Sequence, residues 1–149
     1  MSRATPQMRS FARRVIDFEA FSNTSSAAQT TAAFPVSDKL RPHLATLMGH
    51  GGVRAILSRA LVLAETEVSW LRDVQVNADG GFEGFEILGS QLDSSEFLEG
   101  RVVLLAQLFG LLVALIGPSL TSRLSGEIWP QIPLFEQDFV REVKSEKAK

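Results

Sequence analysis

The chain contains no cysteine and no tyrosine, and its 149 residues include only two histidines, His43 and His50. Without cysteine there is no disulfide, no thiolate-held zinc or iron–sulfur cluster, and no cysteine nucleophile. That suits a reducing compartment, and a cytoplasmic location is the expectation. With no tyrosine and two imidazoles, the side chains that most often move protons are scarce. Lysines and arginines are spread along the sequence and the net charge is −2, so no basic face marks a nucleic-acid binder. A phosphate-binding loop, a dinucleotide fingerprint and a G-x-S-x-G nucleophile motif are missing as well. These absences predict a protein that is not an enzyme and carries no cofactor.

What is present reads as one globular helical domain, 1–149. Apolar residues make up 45% and charged residues 21%, which excludes wholesale disorder. No apolar run follows the first basic residues, so no secretory signal is expected. The opening "MSRATPQMRSFARRVI" has four arginines and no acid, a bias shared with transit peptides, but it reads as an amphipathic first helix. Pro6 after Thr5 starts it, and Met8, Phe11, Val15 and Phe18 form one apolar stripe. Small polar residues then predict a flexible loop or linker over 22–35. The glycosylation pattern at Asn23 has meaning only in a secreted chain.

"SDKLRPHLATLM" predicts a short helix with Leu40, Leu44 and Leu47 inward, stopped by the glycines of "GHGG" at 49–52. The clearest periodicity follows, over 53–74, with Val53, Ile56, Leu57, Ala60, Ala64 and Leu71 on a wide apolar face. A small β-hairpin or an irregular turn is expected near 76–85, around Asp79-Gly80. Ser94 or Ser95 is the expected cap of a long helix at about 96–117, ended or kinked by Pro118. Two amphipathic pieces follow, one with Leu120, Leu124 and Ile128, the other with Phe135, Phe139 and Val143, before a disordered tail at 144–149.

The stretch 102–122 is long and apolar enough to cross a membrane, but a helix wrapped by other helices has the same composition. The core reading is preferred for three reasons. The other helices each have an apolar face that needs covering. Aromatic anchors and a positive-inside bias are missing from the flanks. Gln107 and the Gly117-Pro118 break shorten the most apolar part to about 102–116. Ala106, Gly110 and Ala114 form a small-residue ridge, which suits either setting.

Glu67 is the candidate site residue, because it falls within the apolar arc of the 53–74 helix. A carboxylate there must be paired, hydrogen-bonded or protonated. It is expected either to hold a cation or basic partner, or to form a structural ion pair with an arginine such as Arg101 or Arg123, or to lie at the rim and reach solvent. "QVNADGGFEGFE" overlays a calcium loop loosely, with Asn77, Asp79 and Glu86 as ligands, but neutral Gln75 stands where a carboxylate belongs. A glycine-rich turn is the preferred reading, and no metal is expected. "HGG" at 50–52 is similar to an esterase oxyanion loop, yet without a nucleophile motif it reads as an interhelical turn.

"LRPHLATLMGHGGVRAILSRALVLAETEVSWLRDVQVNADGGFEGFE" and "LLAQLFGLLVALIGPSLTSRL" resemble a group of small uncharacterised bacterial helical proteins with no known function, over residues of about 40–130. The resemblance implies a bacterial source and a single helical domain, and it carries over no functional residue. The combined expectation is an all-α bundle of about five helices around the apolar 96–117 helix. Its preferred function is a non-catalytic interaction or adaptor module with a protein partner or a second copy. A membrane-inserting protein using 102–122 stands second, and an enzyme with Glu67 as acid or base third.

Overall fold

The computed structural model describes residues 6–22, 35–76 and 82–129. Helix α1 spans Pro6–Ser22. Its stripe is buried as the periodicity predicts, with Met8, Phe11, Ala12, Val15 and Ile16 all at 3% exposure or less. Arg13 and Asp17 occupy the solvent side as an exposed pair one turn apart.

Helix α2 runs Pro35–Glu65. The expected stop at "GHGG" is only a kink, because Gly49 alone leaves the helix, at φ 76 and ψ 167. That backbone region is open essentially to glycine. Gly51 and Gly52 stay helical despite a cost of about 1 kcal/mol each, since the turns that follow bury Val53, Leu57 and Ala60. Leu40 and Leu44 point inward as expected, but Leu47, two residues before the kink, is 46% exposed.

The expected 53–74 helix ends early, at Glu65. Thr66 and Val68 are β-branched and poor helix formers. Thr66 Oγ1 donates to the Leu63 carbonyl at 2.7 Å, and Val68 is extended. A 3-10 turn over Ser69–Asp73 then buries Leu71. The hairpin forms: β1 (Gln75–Val76) and β2 (Phe82–Glu83) are antiparallel, Gln75 opposite Glu83 and Val76 opposite Phe82. A short helix that the sequence did not suggest, α3 (Phe85–Gln91), follows directly.

Helix α4 is Ser94–Ile116 and α5 is Pro118–Ile128, with the proline opening the second helix. Neither serine caps α4. Asp93 is the cap residue, and Ser95 Oγ donates to its carboxylate at 2.7 Å. α4 lies at the centre, packed mainly on α2 and α1 and then on α5. Every residue from Val103 to Leu112 is buried. α4 is the one helix among the described residues long and apolar enough to span a bilayer, with a mean hydropathy of 1.9 in its most apolar window. Of that window, 61% is covered by the protein itself.

The protein is thus an all-α bundle of five described helices around an apolar central one, with a two-stranded hairpin at its side. The expected linker falls outside the described residues apart from Ser22 and Pro35, which end α1 and begin α2. The expected amphipathic piece with Phe135, Phe139 and Val143 and the tail at 144–149 also lie outside them.

At the hairpin end, Trp70 and Phe97 lie 5.7 Å apart, Phe85 and Phe97 6.0 Å, and Phe82 and Phe85 5.9 Å, a cluster that fixes α3 and the 3-10 turn onto α4. The Trp70 indole rests directly on Gly100, which leaves no room there for a side chain.

Candidate interaction site

Glu67 is not on a helix. It sits in the turn after α2, with its side chain about 30% exposed, which is the rim position among the expected alternatives. Its partner is neither Arg101 nor Arg123. One carboxylate oxygen pairs with the Arg9 guanidinium of α1, and the other accepts from Gln107 Nε2 of α4 at 3.0 Å. Gln107 is 1% exposed within an otherwise apolar run, so its amide must be satisfied from within the protein. Glu67 provides that bond while joining α1, the end of α2 and α4. The two odd polar residues of the sequence, Glu67 and Gln107, therefore explain one another. Arg9, 58 positions away, offered no signal.

Replacing Glu67 by alanine is expected to cost about 1–3 kcal/mol, because it removes the hydrogen bond that Gln107 Nε2 donates from a buried position. Arg9→Ala removes only a partly exposed ion pair, worth about 1 kcal/mol at most. Urea denaturation of both variants measures the difference, and equal losses would show that the amide bond contributes nothing.

Arg101 lies over the Phe97 ring, its Cζ 4.4 Å from the centroid. Burial lowers its pKa below the usual guanidinium value, against an opposing pull from the Asp17 carboxylate. It serves the aromatic cluster, not Glu67.

The calcium-loop candidates Asn77 and Asp79 lie outside the described residues, as does the side chain of Glu86. Gln75, the first position of that overlay, is in β1 opposite Glu83. Among the described residues no three His, Asp or Glu side chains come together as a metal site. His43 and His50 fall on opposite sides of the α2 kink.

Two concave surfaces among the described residues flank that kink. One is a cleft of about 330 Å³ between α2 and α5, with His43, Leu47, Leu120, Arg123 and Glu127 on its walls. The other is an open groove of about 430 Å³ between α2 and the end of α4. Small Gly52, Ala55 and Ala114 line it together with Met48, Ile56, Leu111 and Leu115, of which Ile56 and Leu111 are buried. Arg59 is the one charged residue lining it among the described residues. The small-residue ridge of α4 is therefore split. Ala106 and Gly110 are buried, whereas Ala114 is exposed and its neighbour Leu115 is 63% exposed.

Fold and surface together define a helical bundle with an uncovered apolar groove at one end. Comparison with known proteins finds no matching family model, no matching curated protein and no matching solved structure.

Proposed function

We propose that the protein is a non-catalytic, cytoplasmic interaction module that binds a protein partner through the groove between α2 and α4. The observation that carries this reading is the uncovered end of the central helix. α4 is covered from Val103 to Leu112, yet its next turn presents Ala114 and Leu115 to solvent beside an apolar groove. Apolar patches of that kind mark association surfaces. An acid or base role for Glu67 has less support, since Arg9 and Gln107 hold both of its carboxylate oxygens.

A photo-cross-linking residue in place of Leu115, in cells expressing the protein, tests the reading. A defined protein adduct, identified by mass spectrometry and lost when Ala55→Trp fills the groove, supports it. Adducts to lipid alone, with a purified chain that pellets with vesicles and is released only by detergent, would transfer support to the second reading. That reading is insertion of the apolar α4, and the hydropathy of the helix favours it.

A further inference from the structure

We propose that the occupant of the groove is an acidic amphipathic helix of a partner protein, lying over the seam of α2 and α4 with carboxylates beside its apolar stripe directed at Arg59. This rests on the reading of that face as an interaction surface, and it adds the chemistry of the partner.

Shape carries the first part. Residues of two helices line the groove, and three of them, Gly52, Ala55 and Ala114, are small. A third helix approaches closely where the facing residues are small, and its larger side chains then seat between the ridges.

Charge carries the second part. Helix α2 contains Lys39, Arg41, Arg54 and Arg59 against Asp38 and Glu65 near its ends, in a chain whose net charge is −2. Arg59 makes no ion pair among the described residues, and no acid lines the groove. A second copy of the chain fits poorly for the same reason. Two-fold pairing of a surface with itself places the same patch on both sides, so each Arg59 faces a groove without an acid. An acidic helix supplies the missing charge and gains both rate and selectivity from it.

The test uses two synthetic helical peptides with one leucine stripe at i, i+3, i+4 and i+7. Glutamates flank the stripe in one and lysines in the other. Binding to the full chain is followed by fluorescence anisotropy. The glutamate peptide should bind at least about tenfold more tightly at low salt, with the advantage shrinking as salt rises. Arg59→Glu should abolish or invert the preference. Ala114→Trp and Ala55→Trp, both at exposed positions, should block either peptide while melting like the parent protein.

Equal affinity for the two peptides, blocked by the tryptophan variants, overturns the acidic partner and leaves the interaction surface standing. Binding of neither peptide, or binding that both tryptophan variants leave intact, overturns the groove as the docking site. Self-association blocked by Ala114→Trp, with no peptide preference, overturns the proposal in favour of a second copy. Tighter binding to phosphatidylglycerol vesicles than to peptide, lost in Ala114→Trp, overturns it in favour of lipid.

Discussion

Gly100→Ala should destabilise the protein by about 3 kcal/mol, at the upper end of what overpacking usually costs. A Cβ at this position would lie 2.7 Å from Cε2 and 2.8 Å from Cη2 of Trp70, well inside contact distance. The indole cannot simply rotate away, because Phe97 lies 5.7 Å and Phe85 6.1 Å from its ring. Relief therefore requires the 3-10 turn to lift off α4, taking the hairpin and α3 with it. For a domain of this size the loss corresponds to a fall in melting temperature of roughly 6–12 °C. Near-ultraviolet circular dichroism from the packed aromatic rings should weaken in parallel. The double variant Gly100→Ala, Trp70→Ala should recover part of the loss, since the clash is pairwise. A Gly100→Ala protein that melts like the parent would refute the contact.

Phe109→Ala should cost about 3–5 kcal/mol, the range for truncating a buried phenylalanine. Phe109 is fully buried at the middle of α4, and its ring lies 5.3 Å from that of Phe11, so its loss opens a cavity between α1 and α4. Leu115→Ala, two turns later on the same helix, should change stability by no more than about 0.5 kcal/mol, because its side chain is mostly in solvent. Urea unfolding in the absence of detergent compares the two. Similar losses at Phe109 and Leu115 would contradict a helix covered in the middle and bare at its end.

Much of the architecture was legible in the residue pattern. The stripe of α1, the buried α4 and the break at Gly117-Pro118 follow from periodicity and backbone chemistry. The hairpin was anticipated through Asp79-Gly80, although the residues between its strands lie outside the described structure. The errors have physical causes. Packing of Val53 and Leu57 carried α2 through two glycines that a propensity argument treats as a stop. Past Glu65 the apolar spacing still looked helical, but β-branched Thr66 and Val68 favoured extended backbone, and Leu71 is buried from a 3-10 turn instead. α3 is a single short helix whose seven residues are too few to display a period.

The site was half visible. Glu67 and Gln107 each break an apolar pattern, and two such exceptions in one small domain invite pairing. The third member, Arg9, lies on the polar side of α1 among several arginines, and only the chain's three-dimensional path selects it. The groove was less visible still. Leu111 and Leu115 are the same residue type on one helix, yet the first is buried and the second bare because the covering helices do not reach the last turn.

The kink in α2 has a mechanical consequence for that surface. Met48 reaches the groove from the segment before Gly49, whereas Gly52, Ala55, Ile56 and Arg59 belong to the segment after it. The place of Met48 in the lining is therefore governed by the two torsion angles of a single residue. A change there would also swing Leu40 and Leu44, which are buried, so this edge of the slot is geared to the hydrophobic interior.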